Sequence, residues 1–252
     1  MKAILIFFVA HWVLSIFAQT FFHHRYGAHR MFTMSRFWDR FFYVFAFVAQ
    51  GPSFLIPRAY AFLHREHHAF ADGERDPHSP LHHDNVAAMM WRTKTQYDAY
   101  AYRRAEPETR FTGGTPEWRA IDDASQKWVV RLGLGSLYAL YYVCFAPSPI
   151  WFLLLPVHWL MGPIHGALVN WCGHKYGYRN FDTRDASRNT LPVDFLTMGE
   201  LFQNNHHQHG ANPNFAARWY EIDPCYQVMR LLDAVGIIDL DGVPAARLPA
   251  EA

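Results

Sequence analysis

The chain has little cysteine: three residues in 252, Cys144, Cys172 and Cys225, with no Cys-x-x-Cys pair. That excludes an iron–sulfur cluster, a zinc ribbon and a disulfide scaffold. It also has almost no net charge, +1, so there is no electrostatic case for a nucleic-acid partner. Gly-rich loops that cradle phosphate, internal repeats and low-complexity tracts are missing as well. What is abundant is apolar and aromatic surface, 51% and 17% of residues, together with 16 histidines. Mean hydropathy is only −0.13, so a polar body must coexist with strongly apolar segments. The length fits one domain, residues 1–252.

Residues 3–22 are almost wholly apolar, interrupted by His11, Ser15, Gln19 and Thr20. About 20 such residues span a bilayer. Lys2 before an apolar run also fits a signal peptide. The flank that follows, His23, His24, Arg25, His29, Arg30 and Arg36, decides against it and holds this end on the cytoplasmic side. Residues 37–57 are again apolar, with Asp39 and Arg40 at their start and Gly51-Pro52 and Pro57 near their end. A full crossing there would put His24 and His29 across the membrane from His64 to His68. The segment is therefore expected to lie in the interface or to re-enter. Residues 58–127 read as a polar cytoplasmic body. Residues 128–146 cross, Pro147-Ser148-Pro149 forms a tight outer turn, and residues 150–170 return. His158 and His165 fall seven apart in that returning span, hence on one helical face. An interhelical hydrogen bond is their expected role, ahead of metal ligation. Residues 171–252 are polar, with a frayed tail from Pro244. The expected fold is all-α: an integral membrane helical protein whose cytoplasmic helical cap holds a His-rich dimetal site.

Four groups of donors gather at the cytoplasmic edge of these spans: His24 with His29, His64 with His67 and His68, Asn170 with His174, and Gln203 with His206 and His207. On a helix His64 and His68 point one way, and His67 sits beside them but is aimed differently. Asn170 and His174, four apart, share a face. His206 and His207 are about 100° apart and more naturally serve different metals. His24 and His29 are five apart, which predicts a helix end or distortion. Eight imidazoles and two amides exceed the needs of one metal and fit two. Without cysteine or carboxylate in the four groups, structural zinc is a poor match. A nitrogen-rich site suits a redox-capable iron pair that activates oxygen.

The order HxxxxH, HxxHH, NxxxH and QxxHH resembles the integral-membrane fatty acid desaturases. The flanks carry the resemblance further: Gly27-Ala28-His29-Arg30, His64 to Phe70 leading to Asp76-Pro77-His78-Ser79-Pro80, Asn170 to Asn189, Gly199-Glu200 before Asn205, and Trp219 to Pro224. The match covers about residues 20–235 and is nearest to the delta-9 acyl desaturases. It implies two iron ions, O2 as co-substrate, and removal of two hydrogens from a saturated acyl chain held as a thioester or in a phospholipid. It also implies that one iron takes His24, His29, His64, His68 and His206. The other takes His67, His174 and His207, with Asn170 acting through a water. Electrons come from a separate carrier such as a ferredoxin, rubredoxin or cytochrome b5-type protein, because the chain has no haem domain, flavin motif or cysteine cluster. The implied location is the bacterial inner (cell) membrane, with the site facing the cytoplasm.

Two departures stand out. Gln203 occupies a place where delta-9 members usually have His and front-end desaturases carry Gln. Either its oxygen binds the second iron, or that iron is held more weakly, with His209 as a nearby substitute. The chain also has one span before the first histidine group where the family has two. Either that helix is absent in this branch or the start lies upstream. Asp76 and His78 are either partners that orient ligand histidines or part of a surface loop. Two rival readings keep parts of this picture: a lipid hydroxylase or ketolase using the same site, and a non-enzymatic membrane metal-binding protein.

Overall fold

The apolar N-terminus folds as one uninterrupted helical rod. In the computed structural model, which describes residues 1–241, α1 (Lys2–Phe17) runs straight into a π-helical segment (Ala18–Ala28). The tail from Pro244 lies outside the described residues. Leu5, Ile6, Val9, Val13 and Leu14 face outward along α1, while His11 and Ser15 are buried. The rod and α6 (Trp128–Phe145) are long and apolar enough to cross a membrane. The outward faces of α6 are likewise apolar, with Val129, Leu132, Leu137, Leu140 and Val143 exposed.

The returning segment is not the single helix expected over residues 150–170. It breaks at Leu160 into α7 (Leu155–Trp159), preceded by a 3₁₀ stretch, and α8 (Met161–Gly173), with 71° between the two halves. The cause is local. Pro163 has no amide hydrogen to donate back across the break, and its ring crowds the preceding turn. Pro156 is confined to the first turn of α7, where proline is tolerated. His158 and His165 therefore sit on different helices. His158 accepts or donates across helices to His11 (2.6 Å) and Tyr142 (2.9 Å), the interhelical role expected of it. His165 is buried against Trp12 and lacks a hydrogen-bond partner among the described residues.

Residues 37–57, expected to lie in the interface or to re-enter, fold as a helix closed by a turn. α2 (Arg36–Gln50) is capped by Ser35, whose hydroxyl faces the Trp38 amide. It buries Phe42, Tyr43, Ala46 and Ala49 but exposes Phe37, Phe41, Val44 and Val48. An apolar stripe on each face suits a helix lying between protein and lipid. At its end Gly51 turns the chain with φ +53, packed so closely on α6 that a Cβ there would overlap the Tyr138 hydroxyl. The chain then comes back as α3 (Pro57–Phe70).

A polar cap completes the fold: α4 (Val86–Ala101), α5 (Arg119–Ser125), α9 (Gln203–Gln208) and α10 (Pro224–Ala234). Strands β1 (Thr33–Met34) and β2 (Ile238–Asp239) pair antiparallel, Thr33 with Asp239 and Met34 with Ile238, and tie the far end of the chain to the first histidine turn. An aromatic core of Phe21, Phe22, Phe32, Phe42, Tyr43 and Phe54 joins α2 to the π segment. The molecule is thus an all-α integral membrane helical protein.

Gly51→Ala should destabilise the fold by about 1–3 kcal/mol for a backbone conformation that side chains rarely adopt, φ +53 and ψ −125, plus the overlap with Tyr138. Thermal melting in detergent measures both parts. Gly51→Ala with Tyr138→Ala should recover only the second. A Tm unchanged by Gly51→Ala rules out this turn.

Candidate metal centre

The π segment explains why two histidines five apart work together. Its hydrogen bonds span five residues, and His29 N donates to His24 O at 3.0 Å. That winding brings both imidazoles to one side, the distortion their spacing predicted. α3 starts with Pro57 at its first position, where no amide partner is lost. Within it, Arg65 and Glu66 do the anchoring. Arg65 donates to the carbonyls of Gly27 (3.1 Å), Ala28 (2.8 Å), Phe111 (2.9 Å) and Gly113 (2.8 Å), fastening α3 to the end of the π segment. Glu66 accepts from Gln96 (2.6 Å) and Tyr100 (2.7 Å) of α4. The short α9 is held by its two asparagines. Asn204 Oδ1 accepts from the amides of Asn180 and Phe181. Asn205 Oδ1 accepts from the side chains of Asn180 and Asn189, while its Nδ2 donates to Phe215 O and Glu221.

These elements bring eight imidazoles together in two groups. His24, His29, His64, His68 and His206 form one, and His67, His174 and His207 the other, with the donor atoms of each group within 4.8 Å of one another. Nε2 atoms face inward. His29 and His64 approach to 2.7 Å, His24 and His206 to 3.1 Å, His206 and His68 to 3.0 Å, and His67 and His207 to 3.2 Å.

Behind the rings stand carboxylates. Nδ1 of His24 meets Glu200 at 2.6 Å, that of His67 meets Asp76 at 2.8 Å, that of His174 meets Asp72 at 2.9 Å, and that of His207 meets Asp185 at 2.6 Å. A carboxylate at Nδ1 keeps the hydrogen there and turns the Nε2 lone pair inward. Neutral His67 and His207 then face each other lone pair to lone pair, an arrangement that a cation between them resolves. His206 Nε2 can donate to only one of the two nitrogens it meets, those of His24 and His68, and its Nδ1 is buried without a partner, so this contact too is left unsatisfied without a cation. His174 Nε2 is likewise buried and unpartnered. The donor set therefore fits metal ions, and neutral imidazole suits iron.

Burial first, then the neighbouring imidazoles, pushes His29, His64, His68 and His206 well below the ordinary histidine value. Burial also lowers His207, to about 4. His67 goes the other way: burial opposes its charge, but the Asp76 carboxylate outweighs it. Burial would raise Asp72, yet the His174 ring and the Ser79 hydroxyl hold it at about 2.

The remaining sequence-predicted residues fall as follows. Asn170 and Gln203 line a cavity of about 500 Å³ that reaches His64, His78 and Glu200 at the metal end and Trp159, Leu160 and Gly166 at the membrane end. Gln203 is buried, and its Nε2 donates to Glu200 O at 2.8 Å. His209 is no substitute for a ligand: it is exposed and packs edge-on to Phe181, because α9 ends before it and turns its ring away. Asp76 and His78 are buried rather than on a surface loop. His78 stacks near His67, ring centroids 4.4 Å apart. The roles of Asp72 and Asp185 were not legible in the sequence. They come from loops remote from their histidines, and no spacing links them.

Asp185→Asn should weaken metal at the three-histidine group by roughly 10–100-fold, read as metal retained per chain against a chelator series. Acid should act on the same group first. His67 is raised, so its proton competes with metal first as pH falls toward the ordinary histidine range, while the lowered imidazoles of the five-histidine group stay neutral. Simultaneous loss of both metals over that range would contradict the assignment.

Comparison with known proteins agrees with this geometry. The fatty acid desaturase family model matches residues 2–235. The Delta-9 desaturase-like 5 protein of Arabidopsis thaliana is 28% identical over 236 residues, covering 90% of this chain and 72% of that protein. An acyl-CoA 5-desaturase of Anemone leveillei is 28% identical over 235 residues, 92% and 70% of the two chains. The Delta-9 acyl-lipid desaturase 1 of Arabidopsis thaliana is 28% identical over 216 residues, 85% and 67%. With its histidine groups, apolar helices and family match taken together, this chain belongs to the fatty acid desaturase family.

Proposed function

We propose that the chain is a delta-9-type acyl desaturase: it inserts a double bond into a saturated acyl chain at a diiron centre. The observation that carries the reading is the division of eight imidazoles into five and three beside an apolar-walled cavity. In this reading His24, His29, His64, His68 and His206 hold one iron. His67, His174 and His207 hold the other, with Asn170 acting through a water. Gln203 contributes its oxygen, since its nitrogen is committed to Glu200 O. When bound, the iron pair supplies oxygen activation. The balance is two hydrogens from the chain, O2, two electrons and two protons, giving the double bond and two waters.

The protein's own contribution is positional. Leu63, Val169 and Trp159 make the cavity walls apolar, which holds the chain extended past His64 and excludes water from the reacting carbons. Glu200, Asp72, Asp76 and Asp185 keep their histidines in one tautomer and orientation. The positive flank from His23 to Arg36 orients the site toward the cytoplasm of a bacterial inner membrane. There an external carrier (ferredoxin, rubredoxin or cytochrome b5-type) delivers the electrons.

The test is expression in a bacterial host that lacks an oxygen-dependent desaturase, with gas chromatography–mass spectrometry of the lipids. A new aerobic monounsaturated chain is expected. A hydroxylated product in its place would overturn desaturation. His68→Ala should bring product to background while the protein still inserts in the membrane; near-normal turnover would sink the diiron assignment. Gln203→His should hold iron per chain at or above the parent. A clear fall would show that residue 203 faces no iron.

A further inference from the structure

We infer that residues 191–196, with Trp219, Tyr220 and Ile222 beside them, form a second membrane contact of the polar cap: a loop that seats in the lipid of the bilayer next to α1. The inference depends on the membrane spans alone and not on the proposed reaction. In this run Leu191, Pro192, Val193, Phe195 and Leu196 all face outward, and only Asp194 points in. Phe195 is 69% exposed and Trp219 94%. Ile222 joins the same surface, its amide donating to Pro192 O at 3.2 Å. An outward apolar patch of this kind marks a binding surface.

Three observations name lipid as the occupant. First, the irregular backbone that leaves the run, residues 197–201, is satisfied from within, and Pro192 O and Leu196 O of the run itself accept from Ile222 N and Trp12 Nε1. The buried Asp194 carboxylate accepts from the amides of Thr197 (2.8 Å), Gly199 (3.0 Å) and Leu201 (3.0 Å) and from the Thr197 hydroxyl. Met198 and Gly199, at φ +54 and +98, reverse the chain around it. Irregular backbone at membrane depth is tolerated only where its polar groups are satisfied inside the protein. Second, the loop is level with the interior of the spans. Trp12 Nε1, within the apolar run of α1, donates to Leu196 O at 2.8 Å, and the adjacent His11 packs on Tyr138 of α6. Third, the rim suits an interface. Trp219 and Tyr220 are the residue types that anchor at headgroup level. Lys175, over the Trp171 ring, and Arg188, donating to Gly177 O, adjoin the loop, to which Tyr176 O is tied by the Thr190 hydroxyl. The outward side chains of 191–196 carry no charge, whereas a docked electron carrier is steered by charge.

The experiment places a nitroxide on Phe195→Cys in the full-length chain, with Cys144, Cys172 and Cys225 replaced by serine, in lipid vesicles. Relative collision rates with oxygen and with a water-soluble nickel chelate give the depth. Leu137→Cys on the outer face of α6 and Asp182→Cys, on an exposed polar loop, serve as lipid and water references. Metal content equal to the parent's certifies each variant's fold. The oxygen-to-nickel ratio at 195 should be several-fold above that at 182 and close to that at 137. A ratio matching 182 would overturn the inference. So would a label shielded from both probes, which would point to a protein partner instead.

Discussion

The structure turns on the inward lone pairs of closely packed imidazoles. Nδ1 of His67 and of His207 each meets an aspartate, so both Nε2 atoms present lone pairs to each other across 3.2 Å. Such a contact is repulsive between neutral rings. It is stable when a cation takes the electrons or when one ring keeps an extra proton, and the Asp76 carboxylate, which raises His67 against its burial, favours the second. Everything around the cluster serves that balance. Burial disfavours charge on His29, His64, His68, His206 and His207, and the carboxylates behind the cluster supply the negative charge a metal requires without competing for its coordination positions.

Holding rings this close demands rigid backbones from remote parts of the chain. The π segment brings His24 and His29 together. Arg65 fixes α3 to that segment through the carbonyls of Gly27 and Ala28 and to the 111–113 loop through two more. Arg25, fully buried, reaches Glu200 at 3.1 Å and Asp223 at 2.7 Å and lies 3.8 Å from the Phe215 ring centre. It thereby links the first histidine group to the segment that supports α9. Removing one partner from such a buried charged network leaves an uncompensated charge, so the scaffold and the site stand or fall together.

How much was legible in the sequence followed from the range of each signal. Spacing is local, and it succeeded where the answer was local: the distortion between His24 and His29. Hydropathy over residues 150–170 suggested one helix because composition averages over a window, while the break at Leu160 depends on a single proline ring at 163. The carboxylate shell was the least visible part. Asp72 lies 102 residues from His174, and Asp185 lies 22 residues from His207. Nothing in a linear pattern pairs them; only the fold does.

The two histidine groups are unlike in a way that bears on Gln203. Each of the three histidines in the smaller group is backed by an aspartate, whereas among the described residues one of the five in the larger group, His24, is backed by a carboxylate. A carboxylate behind an imidazole raises its basicity toward a metal. The group with fewer nitrogens therefore has the stronger nitrogens and the greater negative charge nearby. In the proposed diiron reading, that offsets the neutral and weaker donor at position 203. The cavity that Asn170 and Gln203 line reaches His64 of the larger group and His78, which packs beside His67 of the smaller. In the proposed reading that is where the acyl chain passes the metals.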